Sequence, residues 1–438
     1  MNVDNHGLPL TTRSDMAAAR YREGLDLMFC AWPGAAELFD DAIAIDPDFA
    51  MAKAARARLH AIEAQPAEAR RLIAIAAELA DRQGDERERS HIDVLNLALG
   101  GQSKEALERA LAHADAWPRD ALILSLPLGA FGLFAFSGMA GHDQARVDLC
   151  ERHATQFGPD DWWFLTSYGW ALAENGEVAR GRDLLERALG LRRENANGAH
   201  ALAHAMFEAG AGAEAEAMID TWLPCYDRSG VLHGHIAWHA ALTALERGDV
   251  ETALALYDEH VRPPVSQGMP INVVSDGASL LWRLDAYGYS APADLWREIA
   301  DYARNAFPRA GHAFIDAHLA LVEAATGDHA ALQQRIAALE AMVKAGALPA
   351  GPVVPAICRA ALAFSDGSYG DCVRILDPVA REAVRLGGSG AQREVVEDTL
   401  LVALMRSGDL ARARSLLDRR LHKRPSPRDA RWRDEIAA

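Results

Sequence analysis

Five of the chain's sixteen histidines fall in two short stretches, HALAH (200–204) and HGHIAWH (233–239). His200 and His204 are four residues apart, and so are His235 and His239. That spacing puts two side chains on one face of a helix. Paired imidazoles can ligate zinc, iron, nickel or copper through their ring nitrogens. A divalent metal so held could activate water for hydrolysis. Without metal, the same histidines could act as general bases beside a carboxylate. Neither stretch carries the glutamate that makes HEXXH specific. Histidines also serve as hydrogen-bonded core residues, so spacing alone leaves both readings open.

Other polar residues interrupt apolar stretches further along. VVSDGASLLWRLDAYG (273–288) embeds Asp276, Ser279 and Arg283, and HAFIDAHLALVEAATGD (312–328) embeds Asp316 and His318. Charged groups in such surroundings are costly unless paired. Asp276 also reads as a helix N-cap after the extended-looking stretch GMPINVVSDG. GGSGAQREVV (387–396) carries Ser389, Gln392 and Arg393, and a Ser followed three residues later by Gln is a capping box. Tyr168, Trp238 and Trp282 could supply aromatic walls to a pocket. The chain has no Gly-x-Ser-x-Gly elbow, phosphate loop or dinucleotide fingerprint, which sets aside the common serine hydrolases, NTPases and Rossmann enzymes. Cys225 lies alone near a helix end, where a thiol is usually inert.

The elements that must position these residues repeat along the chain. GEVARGRDLLERALGL (176–191), GAEAEAMIDTWLP (212–224), GDVETALALYDEHVRPP (248–264) and GDLARARSLLDRRLHKRP (408–425) each follow a Gly-led turn. Most place a small residue, a large apolar residue four later, and a contact residue three after that, as in Gly181, Leu185 and Ala188. This matches the second helix of a tetratricopeptide repeat, whose period is about 34 residues. Gly181 to Ala215 is such an interval, and Ala215 to Ala253 is slightly longer. WWFLTSYGWALAENG offers Leu165, Tyr168, Gly169 and Leu172 as the matching first helix. Small residues there let paired helices cross closely. The expectation is an all-α chain, one superhelical domain over 1–438 made of tetratricopeptide-like hairpins. Its hand is right and its repeats degenerate, and it can close around an internal pocket carried by 160–320. Both histidine pairs fall on first helices, which line the inner wall, so they can face each other.

The totals bound the function. Alanine is frequent and aromatics make up only 7% of the chain, which favours close-packed helices over sheets. The net charge is −17, which argues against nucleic acid and against anionic membrane surfaces. Five scattered cysteines without a CxxC fit a reduced, cytoplasmic protein. The start shows no signal-peptide pattern. ALILSLPLGAFGLFAFSGMAGH (121–142) is long enough to span a bilayer, but it contains Pro127 and lacks basic flanks. It reads instead as a helix buried on both faces.

Five segments taken in order resemble the tetratricopeptide repeat protein 38 family. They are GAHALAHAMFEAG, HIAWHAALTALERGDVETALALYD, VSDGASLLWRLDAYG, AFIDAHLALVEAATGD and GGSGAQREVVEDTLLVAL. The resemblance covers nearly the whole chain and implies a tetratricopeptide fold. The family pattern matches His200, His204, Asp276, Trp282, Arg283, Asp316, His318, Gln392 and Arg393. Where the family reads His-Asn-Trp-Trp-His, this chain has His235, Ile236, Ala237, Trp238 and His239. Two residues of that segment are therefore replaced by apolar ones, which implies a greasier pocket and a different ligand.

Two functions follow as expectations. The first is a small-molecule pocket, catalytic through hydrolase- or lyase-type chemistry. His200, His204, His235, His239, Asp276, Asp316 and His318 would do the chemistry, with or without a divalent metal on the four paired histidines. Tyr168, Trp238, Trp282, Arg283, Gln392 and Arg393 would bind the ligand. The second is a scaffold that takes a peptide or partner protein in its concave groove, the usual role of such arrays. A self-associating accessory protein, a homo-oligomer, is a third. A pocket predicts converging histidines, and a scaffold predicts dispersed ones.

Overall fold

The computed structural model describes residues 2–437, and among these the chain is helical almost throughout. It is a tetratricopeptide-type solenoid. Antiparallel hairpins follow one another, such as Trp162–Glu174 with Val178–Leu191, Ala196–Glu208 with Gly212–Trp222, and Ala313–Ala325 with His329–Lys344. The first helices of successive hairpins pack side by side. They form one wall that runs from Trp162–Glu174 through Ala196–Glu208 and His233–Arg247 to Pro270–Ala286.

The Gly-Asp turns that separate hairpins work in two steps. Gly248 closes the His233–Arg247 helix with φ 85°, a left-handed conformation that suits glycine. Asp249 then accepts a hydrogen bond from Thr252 N at 3.1 Å and so caps the next helix. Asp328 and Asp409 cap their helices in the same way. Within the hairpin at 162–191, the two helices meet at glycines. A Cβ on Gly169 would lie 2.9 Å from the Gly181 carbonyl oxygen, and one on Gly181 would lie 2.7 Å from the Gly169 carbonyl. Two side-chain-free positions thus let the backbones touch, as the small-residue spacing predicts.

Three local expectations change. Residues 121–142 do not form one buried helix. Ala121–Leu128 is helical, with Pro127 in its last turn, and the chain then turns through Gly129 and Gly132 before a 3₁₀ turn at Ala135–Ser137. Among the described residues no helix is long and apolar enough to cross a membrane. GMPINVVSDG is not extended either. Pro270 opens the Pro270–Ala286 helix, so Asp276 sits inside it rather than capping it. Finally, a short antiparallel pair, Asn2–Val3 with Pro9–Leu10, stands at the N-terminus, where no strand was expected. The Ser389–Gln392 capping box forms as expected.

The solenoid closes on itself. Cys30 O accepts from Ala196 N at 2.9 Å, Phe29 O from Asn197 Nδ2 at 2.8 Å, and Ala31 O from the Tyr226 hydroxyl at 2.5 Å. Trp32 packs against Trp222 and Tyr226. On the other side, Ala130 O accepts from Gly388 N, and His142 Nε2 meets Val384 O at 2.9 Å. The C-terminal helix Pro427–Ala437 is locked by a buried ion network in which Arg283, Arg420 and Arg428 converge on Asp398.

Candidate functional site

Two helices present the histidines. Asn195 caps the first by accepting from Gly198 N at 2.9 Å, and its amide donates to Thr166 Oγ1 at 3.1 Å, which ties the helix start to the preceding hairpin. The second helix, His233–Arg247, is buried along nearly its whole length. Because i and i+4 share a face, both pairs turn toward the same gap. The ring centroids of His204 and His239 lie 4.1 Å apart, and those of His200 and His235 lie 4.7 Å apart. One nitrogen from each of the four lies within 4.8 Å of the others.

Two carboxylates stand behind this cluster. Asp276 Oδ2 lies 2.7 Å from His235 Nδ1, and both side chains are buried. Glu174 Oε1 lies 3.3 Å from His204 Nδ1, an ion-pair contact in which neither atom makes a hydrogen bond, while Glu174 Oε2 accepts from Gly390 N at 2.7 Å. The Asp276 carboxylate at His235 Nδ1 fixes the proton there and turns the Nε2 lone pair toward the cluster, as in carboxylate–histidine–metal triads. His204 Nε2 faces His200 Nε2 at 3.0 Å. Both nitrogens of His239 are buried without any partner.

The electrostatics follow from burial. Burial, then the neighbouring His204 and His235, pulls the His200 pKa well below the ordinary histidine value. His239 is lowered in the same way, with His200 adding to the effect. Both are therefore neutral, the form that ligates metal. Burial raises Asp276 against the opposing pull of His235. Burial also acts to raise Glu174, but its contact with His204 outweighs this and lowers it.

The residues fit a divalent transition metal. Zinc–nitrogen bonds of about 2.0–2.1 Å in a tetrahedron put ligand nitrogens about 3.3 Å apart. One pair here, His204 Nε2 and His200 Nε2, is already at 3.0 Å, and all four nitrogens lie within 4.8 Å of one another. A metal would also give His239 the partner it lacks.

The cluster opens on a cavity of about 620 Å³. His200 and His235 reach its wall, while His204 and His239 lie behind them. Contributions to the wall run from Met28 to Gln392, so the closed solenoid wraps around it. Its aromatic walls are Phe29, Trp32, Phe131, Trp163 and Trp170.

Not every expected residue reaches this cavity. Gln392 lines it, and Asp276 meets His235 behind the wall. Tyr168 instead donates to Glu151 at 3.1 Å and contacts Arg180. Trp238 is fully buried, stacked on His235 with centroids 5.4 Å apart, and Trp282 donates to Thr399 Oγ1 at 2.9 Å. Arg283 binds Asp398 at 2.8 Å, and Arg393 reaches Asp143 at 3.2 Å. Asp316 pairs with Arg335 and accepts from Gly311 N at 2.8 Å. His318 Nδ1 meets Phe314 O at 2.8 Å, two first helices beyond the cluster. Tyr168, Trp282, Arg283, Asp316 and Arg393 are thus engaged by other helices, while His318 Nε2 and Trp238 Nε1 are buried without a partner. Sequence reasoning missed Glu174, Trp163, Trp170 and Arg58. Glu174 ends the helix that the WWFLTSYGWALAENG pattern marks, and that position reads as solvent-facing.

A second group, His91, His113 and Asp120, is also close-set. There one oxygen of Asp120 already meets Arg87 at 2.8 Å, His91 at 2.9 Å and His113 at 3.3 Å. The adjacent guanidinium fills the place of a cation, so this is a structural knot.

No protein-family model matches the chain. Among solved structures it is similar to yeast Tom70, at 13% identity and a TM-score of 0.33, over 92% of this chain and 85% of that one. It is also similar to Naa15/Naa10 bound to HypK-THB, at 13% identity and a TM-score of 0.26, over 93% of this chain and 58% of that one. Neither likeness bears on the histidines.

Proposed function

We propose that this chain is a metal-dependent small-molecule protein, with a divalent transition metal held by His200, His204, His235 and His239 at the inner end of the cavity. The observation that carries this is the convergence of four buried imidazoles, with Asp276 and Glu174 behind two of them and His239 otherwise unpartnered. Packing alone asks for apolar side chains there, because orphaned buried nitrogens are costly. Two carboxylates carry a formal charge of −2, which a dication neutralises. When bound, the metal would supply Lewis acidity and an activated water, the chemistry of hydrolysis. Convergence around a cavity favours this over a peptide scaffold. The five ordered segments support placing the chain in the tetratricopeptide repeat protein 38 family; the two altered residues, Ile236 and Ala237, pack in the core and not on the cavity wall, so they do not make the pocket greasier as expected.

A second reading rests on one contact. His235 and Asp276, 2.7 Å apart, form a dyad with His235 at the cavity wall. Such a pair can act as a general base without metal.

Elemental mass spectrometry of untagged protein tests the choice. Near-stoichiometric metal, lost in His204→Ala and His239→Ala, is the expected result. Metal-free protein prepared without chelator would overturn the metal reading and leave the dyad.

A further inference from the structure

Arg58 lies on the helix Ala50–Ile62, in the N-terminal part of the chain, and lines the same cavity as His200 and His235. Its helix neighbour Arg56 is fully engaged, with Asp40 at 3.1 Å and Glu63 at 3.1 Å. Of the two carboxylates on the wall, Glu63 is taken by that pairing, and Glu37 is exposed and makes no ion pair with Arg58. Among the described residues no acceptor meets the Arg58 guanidinium. Burial, the sole influence on it, pulls its pKa down, yet an arginine stays charged. The guanidinium is half-buried on the cavity wall and has no counter-ion there, so it is free to pair with a ligand anion. The rest of the wall is largely apolar, with Phe29, Trp32, Phe131, Trp163 and Trp170 as its broad surfaces. Beyond Arg58 the wall carries two carboxylates, Glu37 and Glu63, and neutral polar groups such as Asn197, Asn272 and Ser389. One planar fork suits one carboxylate, whereas phosphate sites gather several cations or backbone amides.

We propose that the cavity takes an apolar or aromatic monocarboxylate, its carboxylate paired with Arg58 and its other end directed to the histidine cluster. This deepens the pocket reading of the preceding subsection and rests on it. A volume of about 620 Å³ suits a small organic molecule. The substrate then enters with its charge fixed at one wall and its reacting bond at the other, the positioning that speeds bound reactions.

Isothermal titration calorimetry with a matched set of probes tests this. The set is 4-phenylbutyrate, 4-phenylbutanol, 4-phenylbutylamine and phenyl phosphate, titrated into wild type, Arg58→Lys and Arg58→Met. Each titration is repeated in His239→Ala, so that a carboxylate bound directly by metal is recognised. The expected result is that 4-phenylbutyrate binds at least tenfold more tightly than the alcohol or the amine. Arg58→Met should erase that preference while the alcohol's affinity holds, and Arg58→Lys should keep part of it. The preference should persist in the His239→Ala background. Equal affinity for acid and alcohol, an unchanged preference in Arg58→Met, or no binding of any probe would overturn the proposal. Tighter binding of phenyl phosphate would overturn the carboxylate assignment. Metal content measured on the same samples separates the two readings. Metal present without carboxylate preference removes only Arg58's role, and carboxylate preference without metal removes only the metal.

Discussion

Replacing His239 by leucine should make the metal-free protein more stable. His239 is 2% exposed, and neither ring nitrogen has a partner. One nitrogen carries a proton and the other a lone pair, so one donor and one acceptor are buried unmet. Each such group costs about 1–3 kcal/mol. Leucine has a similar volume and no polar atoms, so with the low end of that range for each of the two groups the chelated variant should gain about 2 kcal/mol. An unfolding entropy of about 2.1 cal/mol/K per residue gives about 0.9 kcal/mol/K for this chain, so the gain is about 2 °C in Tm. Metal reverses the order. At a free concentration about a thousandfold above Kd, a bound ion adds about 4 kcal/mol to wild type and little to a variant missing one ligand. Thermal melts in EDTA and in excess zinc would show the two curves crossing. A variant less stable than wild type in EDTA would mean that His239 already has a partner, and the reasoning from its orphaned nitrogens would fall.

Other outcomes follow from contacts already described. Asp276→Asn should weaken metal binding by about 10–100-fold, because His235 loses the carboxylate that sets its tautomer; unchanged affinity in a competitive chelator titration would refute this. In native protein a thiol reagent should titrate one cysteine, the exposed Cys225, and all five once unfolded. Burial pushes Cys30 and Cys372 up to about 12, which adds to their inertness. Asp143 gives a pH signature. Burial opposes its ionisation, but His142, Arg393 and Arg146 outweigh this and hold it at about 2. Its folded pKa is depressed, so its contribution of about 2 kcal/mol is present above the unfolded value near 4 and is lost as pH falls through about 2. Asp143→Asn should flatten the stability profile across that window in denaturant titrations.

The repeats were legible because close helix crossing constrains composition. Gly169 and Gly181 are small for a reason that acts locally, and the Gly-Asp turns have a local reason too. The facing histidines were legible for the same cause, since i and i+4 fix a face and the repeat fixes which face turns inward. What distance along the chain separates was hidden. Glu174 and His204 come from different hairpins, and Asp276 sits forty-one residues from His235. In a segment that looked extended, Asp276 passed for a cap, because Pro270 starts the helix earlier than the glycines suggested. Arg58 sits beside Arg56 in KAARARLH, and nothing local says which guanidinium finds a carboxylate. Asp316 and Arg283 drew attention as charges among apolar residues. Their partners, Arg335 and Asp398, lie in other helices.

Ring closure also sets a schedule for synthesis. The Ala31 carbonyl waits for the Tyr226 hydroxyl, 195 residues later in the chain. At about 5–20 residues per second, that is a delay of about 10–40 s after Ala31 is made. Through this interval Trp32 has neither Trp222 nor Tyr226 to cover it. An open array could fold hairpin by hairpin as it leaves the ribosome. This chain emerges with its first seam unsealed, and its nascent N-terminal third should bind holding chaperones until residue 226 arrives.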